Sequence, residues 1–294
     1  MGEQDWLTER FEANRAHLRA VAYRMLGSVS DADDAVQETW LRLSRSEVGD
    51  VENLRGWLTT VTARVCLNML RSRQLRREAP LSAHVPEPII SRESGGDPEH
   101  QALTADSVGL ALLIVLETLA PAERLAFVLH DMFAMPFEEI APIVGRSATA
   151  ARQLASRARR RVQGAAVPDA DLNVQRRVVD AFLRAARDGD FQAMLEVLDP
   201  EVVLRADRGD IRPGSSRLIR GASAVAQQAL MFSNRAPFAR PALVNGAAGI
   251  VVFDEAGRAF SVLGFIVARG RIVEIDILAD PARLSQLDLS VLDE

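Results

Sequence analysis

The chain has 294 residues, enough for two or three domains that each bury a core. Its net charge of −5 excludes a uniformly basic coat for nucleic acid. The charge is nevertheless uneven, because residues 64–77 and 146–161 contain five and six Arg respectively and no acid.

The sequence also limits the compartment and the chemistry. The N-terminal residues are acidic, and the longest apolar run, Val108–Leu116, is too short to span a bilayer. We therefore expect a cytoplasmic protein with no leader peptide and no membrane partner. Its one Cys and four His follow no zinc-ligand spacing, so we expect neither a metal nor a cofactor.

Residues 1–78 are predicted to form a first all-α domain. One helix is expected to start at a cap formed by Ser30 and Asp33 and to run to Arg45. A longer helix is predicted from Leu54 to Arg77, with one apolar stripe that faces its neighbours.

The other face of that longer helix is polar and cationic, because Thr60, Arg64, Asn68 and Arg71 follow one another at helical spacing. Such a face fits a DNA backbone and a base edge, although a solvated helix face is the alternative. The candidate DNA-contacting residues of this helix are Arg64, Asn68, Arg71, Arg73, Arg76 and Arg77.

Residues 79–100 are rich in Pro and Gly and show almost no periodicity, so they are predicted to form a linker. A second all-α domain is predicted over residues 101–165. Within it, Pro121 is well placed for the first turn of a helix that runs through Phe133.

The end of this second domain predicts a helix-turn-helix. A helix over Phe137–Val144 ends at Gly145, and Ser147 caps the next helix. The exposed face of that second helix has no acid and suits the major groove of DNA, whereas an ordinary basic hairpin is the alternative. The candidate DNA-contacting residues here are Ser147, Thr149, Arg152, Gln153, Ser156, Arg157 and Arg160.

Residues 166–294 are predicted to form a different, α+β domain. An amphipathic helix near Leu172–Arg187 precedes segments that alternate like strands. Three apolar runs within Gly249–Ala279 are joined by short turns and predict an antiparallel meander. The predicted fold class is thus multidomain, with two all-α helical domains followed by an α+β domain.

The order of these motifs over Phe11–Val162 resembles the extracytoplasmic-function (ECF) sigma factors, with regions 2 and 4 as the helical domains. The resemblance implies two partners: promoter DNA and the RNA polymerase core, contacted at its β′ clamp helices and β flap. The region 2 helix and the hairpin would then contact the minus-ten and minus-35 elements. The positions that match the polymerase-binding segment are Asp34, Gln37, Glu38 and Arg42.

The C-terminal domain resembles the SnoaL-like cone that extends one group of these sigma factors. In that group the extension grips region 2 and the linker and changes activity. VPEP in the linker and DPARL near the C-terminus are similar to two of the group's motifs, while the group's glycine-rich motif is degraded here to DRGD, beginning at Asp207. The implied regulatory residues are Val85, Pro86, Glu87, Pro88, Asp207, Asp280, Pro281 and Arg283.

Two other functions fit parts of the sequence. A one-component regulator would bind its operator without polymerase and sense a ligand with the C-terminal domain. Alternatively, that domain would be an enzyme, since SnoaL-like folds include cyclases and isomerases. None of the four His lies in it, which leaves carboxylates such as Asp207, Asp210 and Asp276 as candidates and argues against catalysis.

Overall fold

The computed structural model of the protein describes residues 3–46, 53–76, 84–92, 109–164, 168–209 and 216–292. The chain divides into two compact units, of which unit 1 contains Met1–Ala79 and Leu112–Ala165, and unit 2 contains Pro80–Ala111 and Ala166–Glu294. Both predicted helical domains therefore belong to one unit, and most of the predicted linker groups with the α+β domain.

The described helices before residue 165 follow one another in the predicted order. They are α1 (Glu3–Leu26), α2 (Val29–Leu43), α3 (Leu54–Arg76), α4 (Leu110–Glu117), α5 (Pro121–Phe127), α6 (Phe137–Val144) and α7 (Ala148–Gln163). The start of α2 differs from the predicted cap at Ser30 and Asp33. Gly27 ends α1 with a φ of 69°, and Ser28, directly after it, accepts a hydrogen bond from the backbone N–H of Asp31.

Helices α1, α2 and α3 pack around a small apolar core. Leu18, Val36 and Leu58 are almost fully buried there. The hydroxyls of Thr39 and Thr62 lie 3.0 Å apart in the buried seam between α2 and α3. This seam aligns the two helices that carry the predicted polymerase and DNA contacts.

The second half of unit 1 contains the predicted helix-turn-helix. Helix α6 has the predicted bounds, Gly145 has a φ of 70°, and Ser147 caps α7 by accepting from the N–H of Ala150. The helix that starts at Pro121 differs from expectation, because it passes into a π-helical segment at Val128–Met132. This wider turn brings the His130 ring to 3.9 Å from the Phe137 ring, measured between centroids.

A buried arginine joins the two halves of unit 1. The Arg124 side chain is 4% exposed. Its Nη1 donates to the backbone carbonyl of Met25 in α1, and its Nε donates to that of Leu116 in α4, each at 2.7 Å. Nearby, the Arg24 guanidinium lies 4.9 Å from the centre of the Phe133 ring. The two helical domains thus pack against each other rather than standing apart.

Unit 2 is built on a seven-stranded sheet in the order β1-β4-β5-β6-β7-β2-β3. Neighbouring strands within the sheet are antiparallel, except that β2 and β7 are parallel. The strands are β1 (Ile90–Ser91), β2 (Leu198–Asp207), β3 (Arg217–Arg220), β4 (Ala239–Val244), β5 (Ala247–Phe253), β6 (Ala259–Ala268) and β7 (Arg271–Leu278), and the helices are α8 (Leu172–Asp188), α9 (Phe191–Val197), α10 (Ala222–Leu230) and α11 (Pro281–Leu284). The predicted meander is β5-β6-β7.

Helices cover the inner face of this sheet, and the linker forms one of its edges. On the inner face, side chains such as Ile250, Phe265 and Ile275 pack against α8, α9 and α10. The linker adds an edge strand to the sheet, because its residues Ile90 and Ser91 form β1 and pair with Val244 and Leu243 of β4. A strand of two residues has no readable alternation, which explains why the sequence predicted no structure here.

The Arg124 contact predicts a test of the packing in unit 1. We expect Arg124→Met to lower the free energy of unfolding of this unit by about 3 kcal/mol, because charge-assisted hydrogen bonds to buried carbonyls are lost. All three Trp (Trp6, Trp40 and Trp57) lie in unit 1, so Trp fluorescence during urea unfolding follows this unit. The exposed Arg146 provides the control Arg146→Met, for which an equal loss would contradict the role given to Arg124.

Candidate polymerase, nucleic-acid and linker sites

One face of α2 carries the residues predicted to bind polymerase. Asp34, Gln37 and Arg42 are exposed, Glu38 is partly exposed, and Leu41 is 39% exposed beside them. The Glu38 carboxylate accepts a hydrogen bond from Arg42 Nε at 2.8 Å. The face therefore combines acidic groups, an amide and one cation with one apolar side chain, so a protein partner with a complementary charge pattern would fit it.

Part of the predicted DNA face borders the same surface. Asn68 of α3 lines a groove of about 440 Å³ together with Asp34, Glu38 and Arg42 of α2. Sequence spacing along each helix did not reveal this neighbourhood, because it depends on how α2 and α3 pack. A partner that enters the groove contacts residues from both predicted sets.

The basic residues of α3 divide into two groups. Arg64, Asn68 and Arg71 are exposed, as the helical spacing predicted. Arg73 instead forms an ion pair with Asp31 and donates to the carbonyl of Leu26, so its guanidinium holds the end of α3 against α1 and α2. The side chain of Arg76 and the whole of Arg77 lie outside the described residues.

On α7, two of the predicted DNA-contacting residues, Arg152 and Arg157, also have partners within the protein, as does their neighbour Arg161. Arg157 and Arg161 both bind the carboxylate of Glu123, at 2.7 and 3.0 Å, and the Glu123 side chain is only 9% exposed. Arg152 lies 5.1 Å from the centre of the Phe137 ring. The sequence analysis did not single out Glu123, although an acid in the first turn after Pro121 was a signal for a structural partner.

Accessibility differs little across the α7 set, because Arg152 and Arg157 also remain exposed despite these contacts. Thr149, Gln153 and Arg160 are exposed and Ser156 is partly exposed, while Ser147 already caps the helix. This face offers hydrogen-bonding groups and cations to a ligand and contains no acid.

The linker motif and the C-terminal motif meet at Asp207, at the end of β2. All four residues Val85, Pro86, Glu87 and Pro88 are buried. The N–H of Val85 donates to Asp207 Oδ2 at 3.0 Å, and Arg283 donates both to the same oxygen at 2.7 Å and to the carbonyl of Val85 at 2.6 Å. His84 Nδ1 lies 3.0 Å from that carboxylate oxygen.

The C-terminal motif is positioned by ordinary helix capping. Asp280 accepts from the N–H of Ala282 and Pro281 occupies the first turn, so α11 starts at a fixed point and presents Arg283 to Asp207. A second anchor that the sequence analysis missed is Asn245, which exchanges hydrogen bonds with the backbone of Ile89. Its signal was the Asn-Gly pair between two apolar runs.

Asp207 is held as a charged carboxylate. Burial alone would raise its pKa, but hydrogen bonds from His84, Val85 and Gly209, with the charge of His84, outweigh burial and hold the pKa well below its usual range. In Asp276 the balance is reversed, because burial outweighs Arg205 and raises the pKa to about 6. Arg205 also binds Glu274, so this network joins β2 to β7.

Comparison with known proteins places these elements in a family. The models for Sigma-70 region 2 and for Sigma-70, region 4 match residues 10–76 and 110–162. The chain is 37% identical over 289 residues to the probable ECF RNA polymerase sigma factor SigI of Mycobacterium tuberculosis, with 98% of each chain covered. The chain belongs to the ECF RNA polymerase sigma factors.

Other relatives support the same assignment for the whole chain. The sigma factor is 41% identical over 217 residues to the ECF RNA polymerase sigma factor SigJ of Mycobacterium tuberculosis, covering 73% of this chain and 69% of SigJ. The crystal structure of SigJ matches with a TM-score of 0.77 and 34% identity, over 96% of this chain and 99% of that one. The protein thus directs promoter-specific initiation of transcription, and its C-terminal unit is the expected α+β cone.

No helix in the described ranges is long and apolar enough to cross a membrane. Within the same ranges, His, Cys, Asp and Glu side chains form no cluster that could hold a metal ion.

The lowered pKa of Asp207 predicts that binding of the linker to the C-terminal unit depends on pH. Because this pKa is lower with the linker bound than the ordinary value of about 3.9, the charge stabilises docking at neutral pH, and this contribution is lost as the pH falls below about 4. We expect Asp207→Asn to accelerate amide hydrogen exchange at residues 85–90 about tenfold at pH 7. The difference from the unmodified protein should begin to shrink below about pH 4 and should keep shrinking as the pH falls further, because the docked carboxylate is protonated only at a much lower pH.

The matched control is Asp254→Asn, which changes an exposed turn in the same unit. It should leave exchange at residues 85–90 unchanged. A difference between Asp207→Asn and the unmodified protein that did not shrink at all as the pH fell below about 4 would show that the charge of Asp207 does not hold the linker.

Proposed function

We propose that the C-terminal cone restrains this sigma factor in cis by holding the linker between regions 2 and 4 against its sheet. The observation that carries the proposal is the burial of Val85–Pro88 with their backbone bound by Asp207 and Arg283. The buried carboxylate of Asp207 binds His84 and Val85 of the linker and Arg283 of the C-terminal helix, so this end of the cone is occupied by the linker.

The restraint follows from where the linker lies in the chain. Regions 2 and 4 bind separate promoter elements, so an active sigma factor needs them apart. In unit 1 they pack together through Arg124, and the segment that joins them is the one bound to the cone. Release of residues 84–92 from the cone lengthens the unbound segment that connects the two regions. This lowers the free-energy cost of separating region 2 from region 4.

The surfaces for the two partners are assigned by composition. The α2 face with Asp34, Gln37, Glu38 and Arg42 is proposed to contact the β′ clamp helices, with Leu41 as its apolar centre. Arg64, Asn68 and Arg71 are proposed to contact the minus-ten element, and the exposed part of α7 the minus-35 element, next to a region 4 contact with the β flap. Acting on polymerase and promoter DNA, the protein works in the cytoplasm.

The cone is proposed to regulate rather than to catalyse. Among the described residues that line its internal cavity there is no Asp, Glu or His. Asp207 is bound to the linker and to Arg283. Asp276 is bound to Arg205 and lies between Ile275 and Ile277, which both line the cavity. Because side chains alternate across a strand, both carboxylates point away from the cavity. Asp210 lies outside the described residues.

The division between polymerase and DNA contacts predicts opposite defects. We expect Glu38→Arg to weaken binding to core polymerase about tenfold or more by placing a cation where an acid is complementary. Gln153→Ala should leave core binding unchanged and cost about 1–3 kcal/mol in holoenzyme binding to the minus-35 element. Fluorescence anisotropy with core polymerase and with labelled promoter DNA measures both.

Two further variants sharpen this test. Arg160→Gln should reduce the slope of log affinity against log salt by about one without changing sequence preference. The charge reversal Glu196→Arg, on an exposed position of α9, should leave core binding intact. The assignment would be refuted if Gln153→Ala weakened core binding. It would also be refuted if Glu196→Arg weakened core binding as strongly as Glu38→Arg.

The cis restraint predicts a gain of activity. We expect Arg283→Gln and Asp207→Asn to raise the yield of run-off transcripts from a cognate promoter with core polymerase severalfold, since charge-assisted hydrogen bonds to the linker are each worth about 1.5–3 kcal/mol. Arg258→Gln is the control, because Arg258 pairs only locally with Asp254 on the surface of the same unit. Lower yield from folded Arg283→Gln would mean that the docked linker is required for activity, which is contrary to the proposal.

A further inference from the structure

The cone encloses a cavity that the linker contacts do not use. It has a volume of about 320 Å³ and lies between the inner face of the sheet, α8 and α10. Its buried walls include Ile250 and Ile275, whereas Phe232 and Arg217 at its edge are exposed to solvent. This volume falls in the range of sites that bind small molecules, and the lining is mainly apolar.

The charged groups at the cavity all have one sign. Arg208, Arg217 and Arg235 line it, and the described lining residues include no acid. The Arg235 guanidinium lies 3.8 Å from the centre of the Phe260 ring, and that of Arg208 lies 5.7 Å from the centre of the Phe232 ring. In the part of the chain that the structure describes, Arg208 and Arg235 form these ring contacts, and none of the three Arg forms an ion pair with a carboxylate.

An apolar cavity edged by cations selects an amphipathic anion. Burying an apolar chain against Ile250 and Ile275 is favourable in proportion to the area removed from water. A guanidinium offers a forked pair of donors that matches a carboxylate, and this pairing is strengthened beside apolar walls. A cationic head group would be repelled, and a polyhydroxylated ligand would lack partners because few polar side chains line the walls.

We propose that the cone binds a small apolar molecule with one carboxylate, its chain in the cavity and its carboxylate at Arg217 and Arg235. The buried hydroxyl of Ser261 and the amide of Gln228 are the other polar groups among the described residues of the lining. The ligand class is thus a medium-chain carboxylic acid. Binding is a property of the cone itself, so it can be measured without polymerase or promoter.

The experiment measures binding of decanoate to the full chain by isothermal titration calorimetry, below the concentration at which micelles form. Decanol and decyltrimethylammonium serve as neutral and cationic probes with the same chain. We expect decanoate to bind with a stoichiometry of one and to be preferred over decanol by about a hundredfold, since each of the two Arg contributes a charge-assisted hydrogen bond worth about tenfold. The cationic probe should not bind.

Substitutions locate the site. Arg217→Gln and Arg235→Gln should each weaken decanoate about tenfold and leave decanol unchanged, whereas Arg220→Gln, on the same strand but not at the cavity, should change neither. Ala229→Phe fills the cavity from a partly exposed position of α10 and should abolish binding. Ile219→Trp provides a second filling variant on β3, and circular dichroism verifies that each variant is folded.

Three results would overturn the proposal. One is the absence of decanoate binding by the folded chain. Another is that decanoate and decanol bind equally and that neither Arg substitution changes their affinity. This result would show that the carboxylate is not recognised. The third is full binding by both folded filling variants, which would place the ligand elsewhere. None of these results bears on promoter-specific initiation.

Discussion

The buried carboxylate of Asp207 is the point at which three distant segments of unit 2 meet. It lies at the end of β2, binds the N–H of Val85 from the linker, and binds Arg283 from the C-terminal helix. An unpaired buried charge is costly. The strand, the linker and the C-terminal helix therefore stabilise one another's positions through this carboxylate. Binding of the linker by the cone therefore depends on a compact polar cluster at one edge of a large apolar domain. Loss of one charge in this cluster is expected to weaken that binding strongly.

Arginine has two roles in this protein, and the sequence alone does not separate them. The stretch that ends α7 contains Arg157, Arg160 and Arg161, which look equivalent in sequence. In the structure all three are exposed, but Arg157 and Arg161 bind the buried carboxylate of Glu123, whereas Arg160 forms no ion pair among the described residues. Arg73 likewise anchors α3 to Asp31. Part of what looks like a DNA-binding surface is therefore the set of ion pairs that fixes the helices carrying that surface.

Local signals explain which elements the sequence predicted. The bounds of α6 followed from Gly145 and Ser147, whose effects act within one turn, and the β5-β6-β7 meander followed from apolar runs and tight turns. Strand β1 was missed because its pairing with Val244 is set by a residue far away in the chain. The partners of Arg124 and the groove at Asn68 were missed for the same reason, since both depend on the packing of helices that the sequence places far apart.

The cavity and the linker site share one strand, which gives them a physical connection. Along β2 and its continuation, Ala206 and Arg208 line the cavity while Asp207 between them faces the linker, because side chains alternate across a sheet. A ligand that contacts Ala206 or draws Arg208 inward acts on the same backbone that aims the Asp207 carboxylate. Such coupling requires that the ligand bind the two linker states unequally. Under the proposed restraint, the docked and the released linker are two such states, and a ligand that favours one of them would change how freely regions 2 and 4 separate.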